Sequence, residues 1–310
     1  MSDQDTNFPK VLLYHEVTER PHSFVSRYDI NLNPRVFATH MRALKAHYAP
    51  ISVSELESER QAGADVRDRV LVTFDDGYRE AVQHAGDVLT DEGIGSVWFV
   101  NSRMYAGESV FWLSKLIWVV DEGLFDELVR QANLRWPQLM AVKRSDEDVL
   151  YWAKDHYSRT FDEFLTEFSH RYGFMEGERA EEAAMFADAA DLKLLASTGA
   201  VIGNHTYSHP NLRNLSMVDC CADIERCHAD IKRDLGIDAT CFAFPFGEPG
   251  LHWSPWMPEF LRSVGYAWVF SVENEFREVS SGLWSGATHR HVVPSNAAST
   301  AEFRWFMDSL

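Results

Sequence analysis

Short apolar runs alternate with segments of helical periodicity in the first hundred residues of the chain. KVLLYHEV, RVLVTFDDG and SVWFVNS each contain the compact apolar run expected of a buried strand. Between them, NPRVFATHMRALKAHY repeats apolar residues at helical spacing behind Asn33, a candidate N-cap, and YREAVQHAGDVLTDEG predicts a helix that ends at Gly93. Strands and helices in alternation predict a parallel sheet covered by helices.

The alternation stops at about residue 104 and resumes at about residue 190. The intervening stretch is rich in charged and aromatic residues, as in SKLIWVVDEGLFDELVRQ, and predicts several helices inserted between two strands. Beyond it, AVIGNHT, ATCFAFPFG, YAWVFSV and HRHVV are predicted strands. About seven strands in all is close to the eight of a (β/α) barrel.

The composition of the chain disfavours some classes of binding partner and some cellular locations. The 310 residues carry 29 basic and 47 acidic side chains, for a net charge of −18, which disfavours nucleic acid because phosphate contacts need a basic face. No apolar run approaches the roughly 20 residues of a membrane helix, so no transmembrane segment is predicted. The start MSDQDTNFPK lacks the features of a signal peptide, which predicts a cytoplasmic location. The oligomeric state stays open.

Polar clusters follow several predicted strands directly. In a (β/α) barrel such strand ends carry the chemistry, so separate clusters can form one site at one rim. The clusters are His15 after KVLLY, Asp75 and Asp76 after VLVTF, His205 after AVIGN, and Pro245-Phe246-Gly247 after CFAF.

The segment IGNHTYSHP places His205 and His209 four residues apart. On one side of a helical turn this spacing lets two imidazoles reach one metal ion, although the pair could instead cap a turn before Pro210. One carboxylate of the pair Asp75-Asp76 would complete a site of two histidines and one carboxylate, and the other would take a proton from water. The alternative is a turn with solvated acids, but the preceding VLVTF run places them at the mouth of a buried strand.

Two further segments could line the same cleft. The loop around Phe246 could offer a backbone N–H to an oxyanion, or it could simply end a strand. In LHWSPWMPEF, Trp253 and Trp256 could form a wall for a sugar ring or a hydrophobic cover over the barrel end. Phe111 and Trp112 of the insertion could face the cleft as well.

The motifs TFDDG, HTYSH and FAFPFG, in this order, resemble those of the polysaccharide deacetylases of carbohydrate esterase family 4, typified by the nodulation-factor deacetylase domain. The third motif is most similar to a branch with FAYPFG-like sequences. The resemblance covers about residues 10–102 and 190–310. It implies a distorted (β/α) barrel of about seven parallel strands, here one catalytic domain over residues 1–310 with a helical insertion at about 104–190.

The resemblance also implies roles for individual residues. Asp75 would be the general base, Asp76, His205 and His209 would bind the metal, and Phe246 would lend its N–H to the oxyanion. The reaction would be hydrolysis of an N-acetyl group, or another small acyl group, from an amino sugar. One divalent ion is expected, foremost Zn2+, with Co2+, Ni2+, Mn2+ or Fe2+ also suited to this ligand set.

Two departures from the family pattern affect the base and the acid. Ala243 stands where many members have an arginine that pairs with the base, and THRHVVP replaces the usual Leu-x-His near the C-terminus. Arg290 matches an arginine of the FAYPFG-like branch, and we expect its guanidinium within about 4 Å of Asp75. Strand alternation then sends the flanking histidines to the other face. The general acid stays open among three histidines: His291, His289 and His15.

Three functions remain after these considerations. The first is an intracellular metal-dependent deacetylase with an N-acylated amino sugar or glycoside as substrate. The second keeps the site but cleaves a formyl sugar or a non-sugar amide such as a cyclic ureide. The third is a degenerate member that only binds carbohydrate, which the presence of both aspartates and both histidines disfavours.

Overall fold

A computed structural model of the protein describes residues 7–25, 27–136, 152–154, 156–272 and 287–310. The strands in this part of the chain are β1 (Lys10–Tyr14), β2 (Glu16–Val17), β3 (Asn31–Leu32), β4 (Ala49–Pro50), β5 (Arg69–Phe74), β6 (Ser96–Val100), β7 (Val201–Asn204), β8 (Cys241–Ala243), β9 (Trp268–Val272) and β10 (Thr288–Val292).

The described helices fall before, within and after the predicted insertion. They are α1 (Pro34–His47), α2 (Val53–Gln61), α3 (Arg79–Glu92), α4 (Ser102–Tyr105), α5 (Trp112–Asp121), α6 (Phe125–Arg135), α7 (Arg159–Tyr172), α8 (Glu176–Met185), α9 (Ala189–Ser197), α10 (Met217–Leu235), α11 (Met257–Ser263) and α12 (Thr300–Ser309). None of them, within the described ranges, has both the length and the apolar character that crossing a membrane requires.

Seven of the described strands close into a parallel barrel in the order β1-β10-β9-β8-β7-β6-β5, and β5 returns to β1. The closing pair runs in register from Lys10 opposite Val70 to Tyr14 opposite Phe74. Strand β4 pairs with the start of β5, and β2 and β3 form a separate two-stranded ladder. The predicted (β/α) barrel of about seven parallel strands is thereby confirmed.

Local signals fix several helix ends as predicted. The Asn33 side chain accepts a hydrogen bond from the Arg35 N–H at 2.9 Å, and Pro34 occupies the first turn of α1. Gly93 ends α3 in a left-handed conformation, with a φ of 68°. Helix α2 was not predicted, although Ser52 and Glu55 form the capping box that marks its start.

The segment between β6 and β7 contains α4 to α9, so the predicted helices of the insertion are present. Its buried residues, including Trp112, Leu116, Phe161 and Leu165, join the same hydrophobic core as the barrel strands. The assignment of residues 1–310 to one catalytic domain remains a prediction.

Gly203 of β7 offers a test of how tightly the barrel is packed. A Cβ there would lie 2.5 Å from the Phe99 ring and 3.0 Å from the Cys241 carbonyl oxygen. We expect Gly203→Ala to lower the free energy of unfolding by about 1–3 kcal/mol because neither neighbour can move freely. Urea unfolding should show this loss, whereas Gly177→Ala, where a Cβ meets nothing within 4 Å, should leave stability nearly unchanged.

Candidate active site

The ends of β5 and β7 bring four polar side chains into contact. Asp75 and Asp76 follow β5, and His205 follows β7. The Nε2 atom of His205 lies 3.6 Å from Asp75 Oδ2 and 3.7 Å from Asp76 Oδ1, while His209 Nε2 lies 3.3 Å from Asp76 Oδ1. All four side chains are buried. The clusters that the sequence placed at strand ends therefore meet at one rim.

Asp76, His205 and His209 fit a divalent metal ion. One ligand atom from each lies within 4.8 Å of the others. Asp76 Oδ1 and His209 Nδ1 are buried and have no hydrogen-bond partner among the described residues. Burial, followed by the charge of Asp75, raises the pKa of Asp76 to about 8. A cation would offset both effects, and one carboxylate with two imidazoles suits zinc and its first-row neighbours.

A backbone carbonyl orients one of the two histidines. The Nδ1 atom of His205 lies 2.8 Å from the carbonyl oxygen of Ala243. Because a carbonyl only accepts hydrogen bonds, Nδ1 carries the proton and Nε2 presents a lone pair towards Asp76. Ala243, where the family pattern has an arginine, thus supports the site through its backbone.

The predicted helical turn between His205 and His209 is wrong. The segment is a loop in which Thr206 and His209 take left-handed conformations, with φ of 71° and 51°. Such values are uncommon for residues other than glycine, and surrounding contacts must hold them. The Asn101 amide donates to the Thr206 carbonyl at 3.2 Å. Asp223 of α10 accepts hydrogen bonds from the N–H groups of Tyr207 and Ser208 and from the Ser208 hydroxyl.

Arg290 forms a bidentate ion pair with Asp75, as the sequence led us to expect. Nη1 lies 2.5 Å from Oδ1 and Nη2 lies 2.7 Å from Oδ2. The guanidinium is 0% exposed and also lies over the Phe99 ring at 5.2 Å. Burial alone would raise the pKa of Asp75, but the charge of the Arg290 guanidinium lowers it below its ordinary value. Asp75 is therefore held as a carboxylate.

The histidines beside Arg290 lie on the other face of β10. Burial alternates along this strand, with Arg290 buried and both His289 and His291 half-buried. His289 Nδ1 hydrogen-bonds the Ser271 hydroxyl at 2.9 Å. The period of two that turns Arg290 towards Asp75 turns its neighbours away, which argues against His289 and His291 among the three candidates for the general acid.

His15 is the histidine that remains at the rim. It follows β1 and is half-buried. Burial lowers the pKa of His15 to about 4, with further effects from nearby Asp75, Arg290 and His205. The imidazole is therefore neutral near pH 7 and close to the base.

The third motif forms a tight loop against β9. Phe246 is left-handed, with a φ of 60°, and its ring meets the His209 ring edge-on at 4.7 Å. Gly247 also has a positive φ, of 70°, and a Cβ there would lie 2.4 Å from the Val272 nitrogen. Pro245, just before this turn, is buried. Lys154, which the sequence did not single out, places its Nζ 4.7 Å from the Phe246 ring centroid.

The aromatic residues that could line the cleft lie in different parts of the structure. Trp253 is fully buried, stacks on Phe244 at 4.4 Å and donates its indole N–H to the Gly247 carbonyl. It therefore belongs to the core beneath the loop and does not form a sugar-binding wall. Phe111 and Trp112 do reach the site, since the Phe111 ring lies 5.2 Å from that of His209.

The comparison with protein families agrees with this geometry. Residues 152–268 match the family model described as polysaccharide deacetylase. The resemblance to the polysaccharide deacetylases is confirmed. This match includes the second and third motifs, whereas TFDDG lies before it. Membership of the FAYPFG-like branch remains a prediction. No curated protein sequence matches the chain.

Several solved structures share the fold. A Streptococcus pyogenes deacetylase, PplD, in complex with acetate has a TM-score of 0.60 at 13% identity, over 96% of this chain and 97% of that chain. IcaB from Ammonifex degensii has a TM-score of 0.54 at 19% identity, over 96% of each chain. A de-N-acetylase from Aggregatibacter actinomycetemcomitans has a TM-score of 0.57 at 11% identity, over 93% and 95%. At these identities the likeness shows the fold.

We predict that the purified protein binds one divalent ion at Asp76, His205 and His209. Metal analysis should find one ion per chain in the natural protein and almost none after His205→Ala with His209→Ala. The matched control is the double variant His84→Ala with His170→Ala, two exposed histidines away from the cluster. Full metal occupancy in the first double variant would show that the ligands are elsewhere.

Proposed function

We propose that the protein is a metal-dependent hydrolase that removes an N-acetyl group from an amino-sugar substrate. The observation that carries the proposal is the buried ion pair of Asp75 with Arg290, placed beside the three-ligand cluster Asp76, His205 and His209. A carboxylate held ionised next to a metal site is the arrangement that water activation requires. The match to polysaccharide deacetylases supports this reaction class.

The attacking water requires a base and a positive charge. A metal ion held by Asp76, His205 and His209 would supply the charge, lowering the pKa of a water molecule and polarising the acyl carbonyl. Asp75, held by the fork of Arg290, accepts the proton as the water oxygen bonds to the acyl carbon. The backbone N–H of Phe246 donates to the acyl oxygen as negative charge develops there.

The leaving nitrogen needs a proton before the C–N bond breaks. His289 and His291 lie on the far face of β10, so we assign this step to Asp75, which holds the proton taken from water. Its lowered pKa makes the protonated carboxyl a good donor to the amine. Neutral His15, close to Asp75, hydrogen-bonds and orients the substrate at this rim. The products are acetate and a free amino sugar.

The amino-sugar class of the substrate and a cytoplasmic location remain predictions. The net charge of −18 favours a neutral or cationic substrate over a polyanion. N-acetylated amino sugars and their glycosides are neutral, and their deacetylated products are cationic. A neutral substrate and a cationic product are both compatible with the negative net charge of the protein.

A panel of acyl compounds tests the reaction class. The metal-loaded protein should release acetate and free amine in equal amounts from N-acetylglucosamine oligomers or glycosides. Turnover should be lower on N-formyl sugars and on cyclic ureides. A preference for either of these over every acetylated sugar would replace our proposal with the corresponding amidohydrolase.

Asp75→Asn tests the role of the base on the best substrate of that panel. Asparagine keeps the shape of the side chain but cannot accept the proton, so the rate should fall by about 10²–10⁴-fold. Metal content should stay at one ion per chain, because Asp75 is not among the proposed ligands. A near-normal rate, or loss of the metal, would mean that the two aspartates have exchanged roles.

Arg290→Ala should shift the pH dependence of kcat/KM. Arg290 is the guanidinium that lowers the pKa of Asp75, so its removal raises that pKa. The base is then protonated at higher pH, and the acidic limb moves upward while the rate falls. Arg290→Lys should restore little, since a point charge does not hold a carboxylate by two bonds.

The control for Arg290 is Arg67→Ala, which removes an exposed arginine paired with Asp65. It should leave both the rate and the acidic limb unchanged. An acidic limb that stays in place in folded Arg290→Ala would show that Asp75 is not the titrating base.

A further inference from the structure

The two histidines of the proposed metal site are oriented in different ways. His205 is fixed through Nδ1 by the Ala243 carbonyl at 2.8 Å. His209 has no such bond, since its Nδ1 is buried without a hydrogen-bond partner among the described residues. Histidine ligands of metals almost always have the second ring nitrogen held. Something else must therefore orient the His209 imidazole.

Aromatic rings enclose the His209 side chain. The Phe111 ring meets it edge-on at 5.2 Å and 81°, and the Phe246 ring does so at 4.7 Å and 86°. Contact with two rings leaves the imidazole little space in which to rotate. In this orientation its Nε2 lies 3.3 Å from Asp76 Oδ1.

The backbone of His209 is also held from the insertion. The Trp112 indole N–H donates to the His209 carbonyl oxygen at 3.0 Å, and Trp112 is fully buried. The His209 N–H donates to the Thr206 hydroxyl at 3.1 Å. These two hydrogen bonds hold the carbonyl and the N–H of His209. The residue has a φ of 51°, a backbone conformation that is unfavourable for residues with a Cβ.

The start of α5, which supplies Phe111 and Trp112, is fixed in turn by α8. The buried Glu182 carboxylate accepts a hydrogen bond from the Phe111 N–H at 2.9 Å and from the Ser114 hydroxyl at 3.2 Å. The same oxygen thus serves the open N-terminal end of α5, where no side-chain cap is present. Both helices belong to the segment between β6 and β7.

We propose that Phe111 and Trp112 are positioning residues of the metal site, so that the helical insertion orients His209 as the barrel orients His205. This inference rests on the proposed function, because it requires that Asp76, His205 and His209 bind a metal ion. On this proposal, the affinity for the metal ion depends on residues of the insertion as well as on those of the three motifs. The alternative is that both aromatic residues only fill the core.

Metal binding separates these two readings. Trp112→Phe keeps an aromatic ring in the core and removes the N–H that holds the His209 carbonyl, while Phe111→Leu removes the ring edge against the imidazole. The matched control is Trp118→Phe, on the same helix, where the indole packs against Phe174. Zn2+ affinity is measured by competition with a chromophoric chelator, and the visible spectrum of the Co2+-loaded protein reports ligand geometry.

We expect Trp112→Phe and Phe111→Leu to bind Zn2+ about 10–100-fold more weakly, the range typical for residues that orient metal ligands. Their Co2+ spectra should differ from that of the natural protein, and Trp118→Phe should change neither quantity. Thermal unfolding without metal should show a cooperative transition for all three variants, so that weaker binding reflects the orientation of His209 and not loss of the fold.

Natural Zn2+ affinity and an unchanged Co2+ spectrum in both variants would overturn this inference and leave the proposed function standing. Equal weakening in Trp118→Phe would also overturn it, since any loss of core packing would then suffice. Failure of the natural protein to bind either ion would instead overturn the proposed function.

Discussion

Two carboxylates buried side by side are the constraint on which the rest of this structure depends. Asp75 and Asp76 are only 3% and 7% exposed, and like charges in a region of low polarity destabilise a fold unless each finds a cation. Arg290 compensates one of them with two hydrogen bonds. The other faces two imidazoles that are neutral because burial lowers their pKa. A divalent metal ion would compensate the charge of Asp76, so that the otherwise destabilising cluster would become a metal-binding site.

Closure of the barrel is what supplies the first cation. Strand β10 pairs with β1, and β1 pairs with β5, so β10 lies two strands from β5, which directly precedes Asp75. In an open sheet of the same strand order, β1 would be the edge strand and β10 would be separated from β5 by four strands. The same alternation that turns Arg290 inward turns His289 and His291 outward, which separates charge compensation from any role of these histidines.

The sequence predicted features that depend on local periodicity and failed where distant contacts decide. Strand ends located Asp75, Asp76 and His205, and the missing charge at Ala243 led to Arg290. The loop after His205 could not be foreseen, because Asn101, more than 100 residues away, holds its carbonyl groups. Trp253 looks like a cleft residue in LHWSPWMPEF, yet stacking on Phe244 draws it into the core. The sequence raised Phe111 and Trp112 as possible cleft residues, but nothing in it distinguishes Lys154 from other residues of the insertion.

The departure at Ala243 shows how the site keeps its charge balance with different residues. In the usual pattern of the polysaccharide deacetylases, which this chain resembles, an arginine at this position would pair with the base. Here the position is buried among apolar side chains of the barrel interior, including Leu71, Phe99 and Phe270, and Arg290 lies over the Phe99 ring. A second guanidinium in that space would lack a carboxylate partner and would cost free energy through burial of an unpaired charge. With Arg290 on β10 already paired with Asp75, an apolar side chain on β8 avoids this cost, and the Ala243 backbone carbonyl orients His205.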